Sequence, residues 1–408
     1  MPTFERHHRH SGRRPGWVAA AAIAALFALS PLSAAAAAVT ARAGLPDELP
    51  AETLTTSTLA GVSTERVYVA DVSIAHIQDG RIRVFDARHG KLLGMISTGY
   101  VGNFALSAKA DELYVATTYL SRGTRGERAD VLEVHDTDSL GLKYEIALPT
   151  KRAQALNYRG LVSVSGDGRF VLVQNATPAT SISVVDLAQR KTVAEVQTPG
   201  CWGILPAAGH ASRFSMLCGD GKVATVTLDA AGQVSDRQLT EKLFDGDRDA
   251  WFHHAERVGD RYWFVSFLGG LTELDLGGPV AKVVSTRSLV DQGQRRAGWR
   301  PGGYQLFSVD AQGRYLVVAM HDKGSEGSHK RPAKQLWTFD LSRGVRVATA
   351  PGQGAVALTL SRNGQRLQVL NGETGALNLW RWQGAARPVL LSSVKHAGDA
   401  SMQVESHD

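Results

Sequence analysis

Apolar and polar positions alternate along this chain in one phrase, read seven times between about Val62 and Ser393. A polar turn carrying Gly or Asp leads into an apolar strand. A loop follows, then a second apolar strand that ends, in most copies, at an Asp. The first strand reads ERVYVADV, DELYVATTY, GRFVLVQNA, SRFSMLCGD, DRYWFVSFL, GRYLVVAMH and GQRLQVLNG. The second reads IRVFD, VLEVHD, ISVVD, TVTLD, TELD, LWTFD and LNLWR. The closing residues are Asp86, Asp136, Asp186, Asp229, Asp275 and Asp340, with Arg381 in the last copy. A β unit recurring every roughly 40–50 residues is the signature of a propeller blade. The pattern predicts an all-β fold, a seven-bladed β-propeller of four-stranded antiparallel blades.

Each unit reads as four strands. In the second unit they fall at Asn103–Ser107, Leu113–Tyr119, Val131–Asp136 and Lys143–Leu148. Alternating apolar residues such as Val131, Val134, Ile146 and Leu148 suit sheets packed on both faces. Asp167-Gly168 and Asn363-Gly364 are strong hairpin turns. The recurrent Asp is expected to accept from turn amides rather than to catalyse. Ring closure calls for a strand from one chain end, and MQVE at Met402–Glu405 has the right alternation. The long gap before Asp340 holds an insertion, Leu289–Gly303, helix-compatible at its start and placed where propellers carry interaction surfaces.

The first residues change how composition is read. Arg6, Arg9, Arg13 and Arg14 precede an apolar run from Trp17 to Leu29, too short for a comfortable membrane span. Residues 1–38 therefore read as a signal peptide, with compatible cleavage points after Ala35, the later alanines or Ala43. Pro15 and Gly16 after Arg13-Arg14 favour ordinary secretion over the twin-arginine route. Residues 44–408 then form a single propeller domain with an N-terminal arm. Removing residues 1–38 takes the formal charge from +6 to +3, so nucleic acid is not a motivated partner, and no membrane is expected after signal removal. The cluster His7, His8 and His10 is lost with the leader. The two cysteines, Cys201 and Cys218, favour a disulfide in an exported chain, the alternative being two unpaired buried thiols.

No catalytic constellation stands out. G-x-S-x-G, the P-loop and H-E-x-x-H are absent from the sequence. His253-His254 is a poor metal clamp, because neighbours on a strand point to opposite faces. Neither a catalytic residue nor a metal site is assigned. Three loops are unusually polar: Ser121–Arg128, His321–Lys334 and Ala297–Tyr304. They read as solvated loops or as a docking surface, with Arg122, Arg125, Arg128, Trp299 and Arg300 as candidate interface residues.

Specific phrases then match a family. LPTKRAQALNYRGL (148–161), GRFVLVQNATPATSISVVD (168–186), CWGILP (201–206), LCGDG (217–221) and WRPGGY (299–304) do so. TTYLSRGTRGERADVLEVHD (117–136) and SHKRPAKQLWTFD (328–340) add to the match. The chain resembles the heavy subunit of the quinoprotein amine dehydrogenases, especially the aromatic amine dehydrogenase branch. The resemblance implies a periplasmic assembly of two heavy and two light subunits. It implies a tryptophan tryptophylquinone cofactor in a small Cys-rich light subunit, with no cofactor on this chain. It also implies a cupredoxin of azurin or amicyanin type as electron acceptor. In the family, a heavy-subunit aromatic in a Gly-flanked stretch lines the substrate channel. The matching stretch is Thr98–Asn103, and Tyr100 stands where the family typically has Phe.

The leading expectation is thus the heavy subunit of an amine dehydrogenase that converts a primary amine to an aldehyde and ammonia. Two alternatives from other classes remain: a stand-alone secreted binding propeller, and a lactonase-type propeller hydrolase with acidic metal ligands in its central channel.

Overall fold

The second strand of each unit is apolar on both faces, so it can be buried only between stacked sheets. The computed structural model does this. It describes residues 57–59, 65–154 and 157–407. The expected signal peptide, residues 1–38, and most of the expected N-terminal arm lie outside the described residues. Strand Arg66–Asp71 is buried along its whole length, as are Phe170–Asn175 and Ser181–Asp186.

Five sheets have four antiparallel strands each. One is made from both chain ends: Gln403–Ser406, Arg66–Asp71, Gly80–Asp86 and Leu92–Gly99. The expected MQVE strand is therefore the closing strand, with Val69 opposite Val404. The next begins at Asn103–Leu106 and continues through Glu112–Leu120, Arg128–Asp136 and Leu142–Leu148. The other three start at Val162–Val164, Cys201–Pro206 and Trp251–Val258.

The expectation of seven four-stranded blades is corrected here. The propeller has five separate four-stranded blades, and the remaining repeats merge into one eight-stranded sheet. The cause is a single 16-residue strand, Val345–Leu360. Its first part pairs with Ala333–Asp340 and its last part with Arg366–Asn371. Of the connection APGQG, Ala350 and Pro351 stay paired, and the register shifts across Gly352–Gly354. Ala355 still sits opposite Ala333, and the chain bends at Gln353 and Gly354, both at positive φ (49° and 66°). Where other repeats part with a loop, this one resumes pairing on the same neighbour after a three-residue irregularity.

The recurrent aspartates have the role their position suggested. Asp86 Oδ1 accepts from the amides of Arg88 (2.7 Å) and His89 (3.1 Å), and Asp136 Oδ1 from Ser139 (2.7 Å). Asp186, Asp229, Asp275 and Asp340 accept likewise from Gln189, Ala231, Gly277 and Arg343. The insertion contains the short helix Gln292–Arg296, opened by a capping box on Asp291 and Gln294. Cys201 faces Cys218 across adjacent strands, and the two are bonded.

Candidate functional site

First strands of the sheets run the same way around the axis, so the segments that lead into them gather at one end. Asn103 opens its strand opposite Ala116, and the neighbouring hairpin Ser121–Glu127 leaves the same end. In the eight-stranded sheet Arg300 pairs with His321, which brings the other two polar loops together. Gly303 N donates to His329 O (2.9 Å) and Gly324 N to Gly298 O (2.7 Å).

The axis opens at this end into a cavity of about 310 Å³. Its walls are aromatic: Tyr158, Trp251, Phe252, Phe267 and Tyr304, with His253. Tyr158 bridges the ring of His253 (5.9 Å between centroids) and that of Tyr304 (6.0 Å). Cations already cover two of these faces. The Arg300 guanidinium lies 4.5 Å from the Phe267 centroid, and Lys330 Nζ lies 5.8 Å from that of Tyr304. Burial pushes the His253 imidazole down to about 4, so it is neutral at physiological pH.

A charged plug floors this cavity. Arg159 bonds Glu256 through Nη1 and Glu405 through Nε, the latter at 3.1 Å. The adjacent His254 donates Nε2–H to Phe307 O (2.8 Å), and Ser308 Oγ donates to Glu256 Oε2 (3.2 Å). Gln403 Nε2 donates to Glu405 Oε1 (3.1 Å). Burial raises the Glu256 carboxyl, but Arg159 and His254 outweigh it and hold the group below its ordinary value. For Glu405 burial wins, and its carboxyl is raised. Below the plug a second cavity, about 520 Å³, is walled by first strands and is more polar, with Ser107, Ser165, Arg257 and Arg362.

Tyr100 sits elsewhere at the same end. It is half-buried in the turn between Leu92–Gly99 and Asn103–Leu106, and it lines neither axial cavity. The turn is tight. Gly99 has φ 51° and Val101 φ 49°, and a Cβ on Gly102 would stand 2.4 Å from Thr98 Cβ. Tyr100 N donates to Thr118 O (3.0 Å).

The guanidinium of Arg152 holds this turn from within. Its Nη2 donates to Tyr100 O (2.7 Å), and its Nη1 donates to Val101 O (2.7 Å) and to Asn103 Oδ1 (3.3 Å). Thr118 Oγ1 accepts from Arg152 Nη2 (3.0 Å) and donates to Asp130 Oδ1 (2.7 Å). Arg128 pairs with Asp130 at 2.6 Å. Burial lowers the Arg152 guanidinium to about 10, which leaves it charged at neutral pH.

The other sequence-assigned residues fall in two groups. Arg122 and Arg125 are exposed at the tip of their hairpin. Arg128, Trp299 and Arg300 are half-buried and engaged within the chain, Trp299 lying 5.0 Å from the Trp337 ring. Sequence reasoning singled out neither Arg152 nor the Arg159–Glu256–Glu405 plug.

The family model for the methylamine dehydrogenase heavy chain matches residues 63–363. The chain belongs to the methylamine dehydrogenase heavy-chain family. The methylamine dehydrogenase heavy chain of Methylobacillus flagellatus is 27% identical over 304 residues, covering 72% of this chain and 74% of that one. That of Methylophilus methylotrophus is 25% identical over 350 residues, 85% of each chain. Among solved structures, a periplasmic gluconolactonase of Pseudomonas aeruginosa superposes with TM-score 0.58 at 16% identity, over 84% of this chain and 98% of that one. This last likeness is one of fold. In this heavy-chain family member, the match takes in the Tyr100 turn, Arg152, and Arg159 and Glu256 of the plug; Glu405 lies beyond it.

Proposed function

We propose that this chain is the heavy subunit of a periplasmic, tryptophan tryptophylquinone-dependent amine dehydrogenase acting on a primary amine, aromatic or aralkyl in preference to methylamine. The family match across residues 63–363 carries the reading. The aromatic preference rests on the phrases NYRGL and QNATPATSI; Tyr100, standing where the family typically has Phe, is the position at which it is tested. The quinone, in a Cys-rich light subunit, takes up the two electrons released when amine becomes aldehyde and ammonia, and a cupredoxin receives them. Two heavy and two light subunits form the assembly. This chain contributes the scaffold, the Tyr100 channel wall and the exclusion of water from the reacting amine. The end that carries Tyr100 and the three polar loops is the light-subunit face.

The purified chain alone is expected to show no quinone absorbance and no amine oxidation. Coexpressed with its light chain and that chain's maturation proteins, it copurifies and gains activity. Amine oxidation by the isolated chain would overturn the subunit assignment. In the complex, Tyr100→Ala changes the kcat/KM ratio of an aralkylamine over a short aliphatic amine by about 1–3 kcal/mol, the range an apolar wall commands. An unchanged ratio removes Tyr100 from the channel.

The exposed pair Arg122 and Arg125 offers a test of the docking face. Reversing both to Glu places like or unlike charge against the partner without touching the core, so light-subunit affinity changes by about tenfold and the effect fades at high salt. Equal affinity at low salt would place the interface elsewhere.

A further inference from the structure

We infer that Arg152 is a positioning residue for substrate selection: its buried guanidinium fixes the backbone of the Gly99–Gly102 turn and so sets where the Tyr100 ring stands. This rests on the reading of Tyr100 as channel wall.

The turn does not hold its shape by propensity. Val101 at positive φ is an uncommon conformation for a β-branched residue and persists only where surroundings over-determine it. Regular strand pairing stops at Gly99 on one side and resumes at Asn103 on the other. Between them the carbonyls of Tyr100 and Val101 point into the protein, and both end on Arg152, at 2.7 Å each. A planar fork can meet the two successive carbonyls, the Asn103 amide oxygen, Ala153 O and the Thr118 hydroxyl from separate nitrogens; an ammonium group has three donors on one atom, fewer than these acceptors. The fork is itself fixed. Thr118 Oγ1 is held by Asp130, the backbone N–H of Arg152 reaches Asp130 Oδ2 at 3.3 Å, and Arg128 neutralises that carboxylate. Asn103, the third acceptor, donates onward to Asn157 Oδ1 (3.2 Å), next to Tyr158 and Arg159 of the axial cavity. The Tyr100 turn is thus tied to the cavity wall through one hydrogen-bonded array. A ring displaced by about an ångström alters which amines pass it well before it alters folding.

Two readouts test this on Arg152→Lys and, as a gentler variant that keeps the guanidinium, Thr118→Val. In the heavy–light complex, both shift the aralkylamine-to-aliphatic kcat/KM ratio in the direction of Tyr100→Ala, Arg152→Lys by about fivefold or more. The double variant Arg152→Lys with Tyr100→Ala shifts it no further than Tyr100→Ala alone, because both act through one ring. In the full heavy chain labelled with 3-fluorotyrosine, the Tyr100 resonance, assigned by its loss in Tyr100→Phe, moves or broadens in both variants. A merely structural Arg152 lowers both kcat/KM values together and leaves ratio and resonance in place, which overturns the proposal. Should Tyr100→Ala leave the ratio unchanged while the resonance moves in Arg152→Lys, the channel reading fails and the positioning of the ring stands.

Discussion

Arg159→Met lowers the stability of the folded chain by about 3 kcal/mol at neutral pH, and the loss widens as pH rises. Arg159 is the cation between Glu256 and Glu405, which come from strands 149 residues apart in sequence. Removing one member of a buried ion pair costs about 3–5 kcal/mol; the low end applies because the Arg159 side chain keeps 35% of its exposure. The pH dependence follows from the directions of the shifts. In the native protein Glu256 is held below its ordinary value, so its contribution is present above the unfolded pKa and lost as pH falls through the folded one. Glu405 is raised, so its folded form holds a proton that the unfolded chain gives up, and its contribution is lost as pH rises. Without Arg159 the largest lowering influence on both carboxyls is gone, only the weaker ones from His254, Gln403 and the backbone remain, and both carboxyls move upward. Stability then declines from about pH 4.3, the unfolded Glu value, upward. Denaturant midpoints at pH 5 and pH 8 measure this. Glu405→Gln in the same background recovers part of the loss at pH 8. A midpoint drop equal at both pH values would show that the plug acts by packing alone.

The plug also shows where the sequence stops being readable. Strands, turns and the recurring aspartates are local, so alternation and turn chemistry find them: the strand reading at Leu113–Tyr119 became Glu112–Leu120, and MQVE became the closing strand Gln403–Ser406. Arg159, Glu256 and Glu405 are each an ordinary charged residue beside apolar ones, and only ring closure makes them neighbours. Arg152 is similar. In LPTKRAQALNYRGL it is one of three basic residues, and nothing local says that it turns inward to two carbonyls some fifty residues earlier. The long strand Val345–Leu360 was hidden for a different reason. APGQG carries Pro and two Gly and reads as a break, yet the chain only bulges there and pairs again at Ala355, within one strand. Trp299 was singled out as a candidate interface residue because it sits in the insertion between Arg296 and Arg300; its ring packs on Trp337 of strand Ala333–Asp340. Two of the polar loops, by contrast, were legible as equivalents: Ser121–Arg128 and His321–Lys334 both join the second and third strands of their units, while Ala297–Tyr304 precedes a first strand and meets them at the same end.

The second large effect lies in the Cys201–Cys218 bridge. The two residues face one another at the start of Cys201–Pro206 and the end of Arg213–Cys218, so the bond staples a hairpin that carries several core residues. Cys218, Ile204, Phe214 and Met216 belong to one buried cluster, with Cys201 packed against it. The bond closes a loop with a sequence separation of 17, which restricts the unfolded chain by an amount worth about 3 kcal/mol. Replacing both cysteines by Ser removes that restriction and also sets a hydroxyl against apolar neighbours at Cys218, which adds to the cost. The double variant is therefore expected to unfold at a clearly lower denaturant concentration than the parent, and reduction of the parent under mild denaturation shifts its midpoint the same way. Ile204 and Leu205 of this hairpin also form part of the wall of the polar axial cavity, so loosening the staple raises amide exchange there before it does so in Arg66–Asp71 on the closing blade. Identical midpoints for the parent and the Ser variant, or exchange that rises uniformly around the ring, would show that the bond restrains nothing the strand pairing does not already hold.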